Sequence, residues 1–466
     1  MHALIIGAGP TGLVTAMLLA ADGHRVTVFD QDQALDEGSA GSHSSRSRRG
    51  VGQFDAAHVL SPLGYRVLQR ELPDVETLLL DRGGRQHNMI AGALHRIPRS
   101  EPSAADARFD TVAARRPVLE AALFAAAECR SGISVKHGIQ VKGLITENTS
   151  KRGIPHVTGV VLAHGVQVFG DLVIAASGRG GLTRTLPDAV NADRSGRSWR
   201  YFTRHFRAAN DHTPSHMPWP LHHHNSVSII VVPGDSGTWS LTFVTSGDDQ
   251  QLRRLRQGAA WHRAIALYPD LEPWSRGEPV GHGIAVGGIR SIRRRLVDNG
   301  QPLVTGLVAL GDAWGTTNPQ FGLGMSLGII HATLLRDTLR NAAQSSPDEL
   351  ASGFDAVTEQ NLEPVRSGLA EWDRHRFAEI DAHIRGQSYT TDASSWNQHV
   401  AFRSLGLHDA DALRAMAELG FLLTDPNEVM RKQGLDTRLR NLALDVPRYA
   451  GGPDRNDLLA ALDGEV

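Results

Sequence analysis

The sequence predicts an α/β fold: a Rossmann-type nucleotide-binding domain, an inserted β-rich domain and a helical C-terminal region. Three observations predict it. An apolar run at residues 3–6 ends in a glycine cluster, then a small-residue helix and a second apolar run at 25–29 follow, the order that opens a parallel βαβ unit. Residues 186–300 are richer in His, Trp and Pro and alternate in β fashion (SVSIIVVPG, TWSLTFVT). From 346 onward the pattern is helical, with Leu362, Val365, Leu369 and Trp372 at three- and four-residue steps. The expected divisions are 1–185 (first part of the nucleotide domain), 186–290 (mostly β), 291–345 (second part of the nucleotide domain) and 346–466 (helical).

The elements follow in order. Residues 34–53 are polar and read as a loop, and a helix is expected from about Pro62 to Leu72. Residues 114–127 form a strong helical pattern, with Pro117 tolerable near its first turn. Alternating segments at 133–135, 138–145, 157–162 and 166–169 suggest a meander leading into a buried strand at 171–176. Leu303 to Leu310 reads as a second buried parallel strand before a glycine-rich helix start.

A chain of 466 residues exceeds one small core, and 41% hydrophobic with 21% charged residues is ordinary for a globular protein. The net charge of -2 gives no electrostatic basis for nucleic acid or an anionic membrane surface. Of 48 basic residues only Lys136, Lys142, Lys151 and Lys432 are lysine, as in a GC-rich genome. The single cysteine, Cys129, excludes an internal disulfide and a cysteine-rich metal cluster and fits a reducing cytoplasm. The N-terminus lacks a basic n-region and cleavage site, and no apolar run approaches the roughly 20 residues that span a bilayer, so a cytoplasmic location is expected. Oligomeric state is not legible.

Gly7-Ala8-Gly9-Pro10-Thr11-Gly12 is a GxGxxG between strand and helix. The first glycine permits the tight turn, the second lets backbone approach a pyrophosphate, and the third allows close helix–strand packing. Asp30 closes the second strand, where a carboxylate can accept a ribose hydroxyl. This element alone does not separate NAD from FAD. A second one does: the strand into Gly311-Asp312, then Pro319, Gly322, Leu323, Gly324 and Met325. Asp312 can accept a ribityl hydroxyl, and the helix that follows could aim its first amides at a flavin pyrimidine edge, where reduced flavin carries negative charge. An NAD domain has no use for this element some 300 residues downstream.

These motifs resemble the class A flavoprotein monooxygenases, which share the para-hydroxybenzoate hydroxylase fold with flavin halogenases and geranylgeranyl reductases. The resemblance covers roughly residues 1–345. It implies an FAD-binding domain of that type, with Gly7, Gly9, Gly12 and Asp30 on the ADP half, Asp312 on the ribityl chain, and Pro319, Gly322 and Gly324 against the isoalloxazine. Arg116 with Leu119-Glu120 resembles the family's Arg-x-x-Leu-Glu helix, whose arginine reaches the FAD phosphate or ribityl region, and Val141 falls where a strand valine meets the adenine. Arg49-Gly50-Val51-Gly52-Gln53, with His58, is similar to an Arg-Gly-Val-Pro-Gln…His stretch in some bacterial members. Pro10, Thr11, Arg49, Gly178, Gly311, Leu323 and Met325 complete the expected cofactor set.

The resemblance implies hydroxylation or epoxidation of a small apolar or aromatic substrate with molecular oxygen through a flavin C4a-hydroperoxide, in specialised metabolism. The electron source is NAD(P)H or a separate flavin reductase. A dehydrogenase or reductase of the same fold is the alternative, and a non-catalytic flavin-binding protein a third reading. Such chemistry needs no side-chain nucleophile, and no catalytic residue is assigned. Two departures matter. Ser177 stands where the family's middle Asp-Gly motif has aspartate, which questions direct NADPH use. The halogenase Trp-x-Trp-x-Ile-Pro motif and pocket lysine are absent, which disfavours halogenation. Tyr201, His205 and Phe321 are the candidate substrate-side residues. His212, His216 and the run His222–His224 lack the convergence of a metal site, so none is expected. Trp372 reads as core.

Overall fold

The computed structural model describes residues 1–33, 48, 54, 56–147, 153–180, 192–208, 216–342, 345–424, 449 and 451–464. A five-stranded parallel sheet runs in the order Leu307–Ala309, Leu172–Ala175, His2–Ile6, Arg25–Phe29, Ile133–Lys136. Leu307–Ala309, Leu172–Ala175 and residues 3–6 are continuous apolar runs because both faces are covered there; Leu172–Ala175 is buried at every position. Helices Pro10–Ala21, Arg116–Glu128 and Gly324–Asn341 cover one face through Leu13, Met17, Leu119, Ala122, Ile329 and Ala332. The antiparallel meander Val141–Glu147, His156–Leu162, Gln167–Phe169 covers the other, packing Val157 and Val160 with Leu4 and Val173.

Two boundaries differ from the sequence expectation. Residues 110–115 form a strand, and the helix begins only at Arg116 with Pro117 in its first turn, where its missing N–H costs nothing. The strand expected over 303–310 is confined to Leu307–Ala309. Gly306 sits at φ +70°, and a Cβ there would lie 2.1 Å from the Val157 carbonyl oxygen, so the chain turns before it pairs.

A second sheet, antiparallel, runs Leu221–His223, Ser228–Pro233, Thr238–Ser246, Trp199–Arg207, Glu278–Ile289. Helix Gly258–Ala266 closes one side of it over Phe206, Trp239, Phe243 and Trp261. The sheet is tied to the nucleotide domain by Arg115, whose guanidinium donates twice to buried Asp235 (2.8 and 2.7 Å).

The C-terminal helices close the remaining side. Glu363–Ile384 and Ser394–Gly406 bring Trp372, Phe377 and Trp396 against Trp199 and Tyr201. Phe402, Leu413 and Met416 join Met89, Ile90 and Trp219. Helix Arg455–Asp463 returns to the second domain, where Arg263 donates to the carbonyls of Ala461 and Leu462. Among the described residues no helix is long and apolar enough to cross a membrane.

Candidate cofactor and substrate cavity

A cavity of about 410 Å³ starts at the carboxyl ends of the parallel strands, where ligands of open α/β sheets bind, and continues to the antiparallel sheet. Its three motif glycines do different jobs. Gly7 sits at φ +108° with the Ala176 carbonyl 2.6 Å from where a Cβ would be, and a Cβ on Gly12 would lie 2.0 Å from the Gly7 carbonyl oxygen. Those two are glycine because backbone crowds them. Gly9 is open: the nearest atom to its absent Cβ is Arg116 Nη2 at 3.9 Å, and both residues line the cavity. Helix Pro10–Ala21 starts at Gly9, and helix Gly324–Asn341 starts at Leu323, neither with a side-chain cap. Gly9, Pro10, Thr11, Gly324 and Met325 line the cavity, so two positive helix ends with orphan N–H groups meet one space.

Asp30 is buried at the end of its strand. Its Oδ2 accepts from Ala8 N–H (2.7 Å) and from Arg48 Nη2 (2.8 Å), and its Oδ1 accepts from Asp32 N–H (2.9 Å). Arg48 also pairs with Asp32 Oδ2 (2.7 Å) and Glu120 Oε2 (2.5 Å), and Glu120 accepts from Arg116 Nε (2.6 Å). These contacts hold Arg116 beside Gly9. Val141 lines the cavity next to Ile139 and Gln140.

The middle segment 176–179 meets Asp312 on the cavity wall, with Arg179 Nε 3.9 Å from Asp312 Oδ2. Arg294 joins the two: its Nη2 donates to the Arg179 carbonyl (2.7 Å) and its Nη1 to those of Ala313 (3.0 Å) and Asp312 (3.2 Å). Burial raises the Asp312 carboxyl above the usual range, against the opposing charges of Arg179, Arg116 and Arg294. Ser177, the departure from the Asp-Gly pattern, lines the cavity with its hydroxyl unpartnered among the described residues.

Beyond Asp312 the chain makes a tight turn, Pro319–Phe321, and leaves it through Gly322 at φ +68°. Asn318 organises the turn. Its Oδ1 accepts from Gln320 N–H (3.1 Å) and from the Tyr201 hydroxyl (2.5 Å), and its Nδ2 donates to Asp373 Oδ1 (2.6 Å). Burial pushes Asp373 up to about 7, with the Asn318 hydrogen bond pulling the other way. Gln320 is buried on the cavity wall, and neither of its amide atoms has a partner among the described residues.

The structure thus places Gly7, Gly9, Pro10, Thr11, Asp30, Arg116, Val141, Gly178, Asp312, Pro319, Gly322, Gly324 and Met325 around one cavity. Gly12, Gly311 and Leu323 stand behind it: Gly311 packs on Thr11, and Leu323 is core. Arg49 lies outside the described residues, as do Gly50 to Gln53 and His212. Tyr201 and Phe321 line the cavity's second half; His205 is buried and falls outside the lining, beyond a register shift between Thr203 and His205. Arg48, Arg294, Asn318, Asp373 and Arg403 were not singled out in the sequence. Asn318 alone had a local signal, Asn-Pro at a turn. Among the described residues no group of three His, Cys, Asp or Glu is placed to hold a metal ion.

Residues 5–50 match the NAD(P)-binding Rossmann-like domain family. Protein Rv3254 of Mycobacterium tuberculosis is 24% identical over 420 residues, 82% of this chain and 81% of that protein. Among solved structures, PqsL of Pseudomonas aeruginosa, a probable FAD-dependent monooxygenase, aligns with TM-score 0.55 at 17% identity over 82% of this chain and all of its own. The flavin-dependent brominase Bmp2 aligns with TM-score 0.58 at 16% identity over 100% of this chain and 99% of its own. A flavoprotein/dehydrogenase from Cytophaga hutchinsonii aligns with TM-score 0.59 at 16% identity over 95% and 98%. The chain has the fold of these flavoproteins.

Proposed function

We propose that the protein is an FAD-dependent oxidoreductase, and specifically a monooxygenase acting on a small apolar or aromatic molecule. The observation that carries this is the continuity of the cavity: one space joins a pyrophosphate-type glycine turn, a ribityl-type aspartate and the face of a second sheet. The residues fit FAD. Gly9 leaves room for a diphosphate, two uncapped helix ends face the same space, and Ser177 and Gln320 offer unpartnered polar atoms along it. Gly9, Thr11, Asp30, Arg116 and Val141 would hold the ADP half; Asp312, Pro319, Gly322, Gly324 and Met325 would hold the flavin half. Bound there, the flavin supplies two-electron redox chemistry with oxygen.

The chain's own residues position and shield. Helix Gly324–Asn341 would hold the flavin half at its uncapped start, whose positive end favours the negative charge that reduction adds. The Tyr201–Asn318–Asp373 hydrogen bonds fix the turn that carries Phe321. Trp219, Leu221, Ile230 and Phe421 give the far end apolar walls that keep water from the reacting atoms. The solved relatives include a brominase and a dehydrogenase, and Ser177 keeps a dehydrogenase as the second reading. The chain has no lysine between Lys151 and Lys432 and no Trp-x-Trp-x-Ile-Pro motif, which disfavours halogenation. NAD(P)H or a separate flavin reductase supplies the electrons. The test is to supply reduced, FAD-loaded protein with ¹⁸O₂ and a panel of aromatic substrates. One labelled oxygen atom in the product is expected; an unlabelled oxidised product, formed equally well without oxygen when an artificial electron acceptor is added, establishes the dehydrogenase instead.

A further inference from the structure

A line of aromatic rings leads from the cavity out through the C-terminal helices. It begins at Phe321, on the cavity wall in the Pro319–Phe321 turn. Phe321 meets Trp372 edge to face, with ring centres 5.0 Å apart at 90°. Trp372 lies 6.0 Å from Trp396, and Trp396 lies 6.3 Å from Tyr389. These separations are those of aromatic pairs in contact. Trp372 and Trp396 are buried, whereas Tyr389 is partly exposed, so the line runs from the cavity to solvent.

Indole and phenol each give up one electron to a strong oxidant, and transfer between touching rings is fast because tunnelling decays exponentially with the gap. Phenylalanine is not oxidised in this way; Phe321 only couples the cavity to Trp372. A site that activates oxygen generates such oxidants, peroxide-derived radicals, when no substrate is in place, and the protein around it must dispose of them. The last ring differs from the middle ones in what it can do with a proton. An oxidised tyrosine sheds its phenol proton, and Tyr389 lies where solvent can take it. Arg374 Nη2 donates to His375 Nε2 (2.9 Å), so the neutral imidazole carries its hydrogen on Nδ1 and donates it to the Tyr389 oxygen (2.7 Å). Burial and the charge of Arg374 keep His375 below the usual imidazole range, which fits that neutral form. Tyr201, closer to the cavity, has no such exit: it is buried, and its hydroxyl donates to the Asn318 amide oxygen, which is not a base.

We infer that Trp372, Trp396 and Tyr389 form a one-electron relay that carries stray oxidising equivalents from the cavity to the surface. One electron moves inward from Tyr389 through Trp396 and Trp372, and the radical in the cavity is reduced by it. Tyr389 loses that electron and releases its phenol proton to water. A soluble thiol then returns a hydrogen atom to the phenoxyl oxygen and leaves as a thiyl radical. The inference rests on the oxidoreductase reading and gives the aromatic packing of the C-terminal helices a role in the chemistry.

The test uses FAD-loaded protein, illuminated anaerobically in the flavin band so that the excited flavin is the one-electron oxidant. The nitrone spin trap DMPO is present, and its adducts are located by peptide mass spectrometry. Wild type should carry the adduct on Tyr389, one of five tyrosines in the chain. Trp372→Phe and Trp396→Phe each keep an aromatic ring in place and should lower the Tyr389 adduct severalfold. Either variant suffices, so a failure of one to fold leaves the other to decide. Tyr389→Phe should move the adduct to Trp396. A wild-type protein with no adduct on Tyr389, or a Tyr389 adduct undiminished in the tryptophan variants, overturns the relay alone. FAD occupancy is read separately from the visible spectrum, and a protein that takes up no flavin overturns the cofactor assignment and the relay with it.

Discussion

Asp373 supplies a quantitative prediction because its environment opposes its charge. The carboxyl is 7% exposed and is pushed by burial from 3.8 up to about 7, against the hydrogen bonding of Asn318 and Trp199 that pulls the other way. The folded protein therefore keeps the proton across an interval of about three pH units in which the unfolded chain has lost it. When the folded state binds more protons, stability falls as pH rises. Below about pH 4 both states are protonated and there is no penalty; above about pH 7 both are ionised and the penalty is complete. At ~1.4 kcal/mol per pH unit the ceiling is about 4 kcal/mol, of which about 3 kcal/mol is lost between pH 5 and pH 8. Asp373→Asn keeps an oxygen that accepts from Asn318 and cannot ionise. Urea unfolding followed by tryptophan fluorescence, run on both proteins from pH 5 to pH 8, isolates this group by difference. The comparison is needed because Asp355, raised by burial to about 6, contributes a slope of the same sign to both proteins. The variant should gain on wild type by about 3 kcal/mol over that range. Parallel curves for the two proteins refute the reasoning.

The motif glycines should separate in their effects. Gly9→Val has open space at the Cβ position, so the fold should survive while FAD affinity falls by at least about tenfold; Gly12→Ala drives a methyl into the Gly7 carbonyl and should cost about 2 kcal/mol of stability in urea unfolding. Arg48→Met removes the cation shared by Asp30, Asp32 and Glu120 and should lower stability by about 3 kcal/mol, read as a shift in the urea midpoint; an unchanged midpoint contradicts its bridging role.

What the sequence shows follows from how far apart the contributing residues lie. The glycine turn and the Asp312 element are local, each condensed into about a dozen residues, and the physical demands on them are readable from type and spacing. Even there the roles divide in a way that spacing does not reveal: Gly12 is crowded by the Gly7 carbonyl and Gly311 by the Thr11 side chain, whereas Gly9 and Gly322 leave open space. The supporting contacts are not local. Tyr201, Asn318 and Asp373 join three parts of the chain separated by 117 and 55 positions, and no pattern in any one of them announces the others. Arg294 acts on backbone carbonyls, which leave no trace in side-chain identity. Arg403 sits in an unremarkable helical pattern, and only the packing of helix Ser394–Gly406 against the cavity puts it on the wall. The same packing shows that the C-terminal helices close the far end of the cavity, a role that periodicity alone left open.

The central claim is that the cavity binds FAD with its two halves on two distant elements. Calorimetric titration of wild type and Asp312→Ala with FAD and with ADP tests it directly. The account predicts that wild type takes up FAD with a visible flavin spectrum, and that Asp312→Ala weakens FAD by about tenfold while leaving ADP affinity unchanged. Wild-type protein that stays colourless after FAD is added, or FAD and ADP affinities that fall together in the variant, contradicts it.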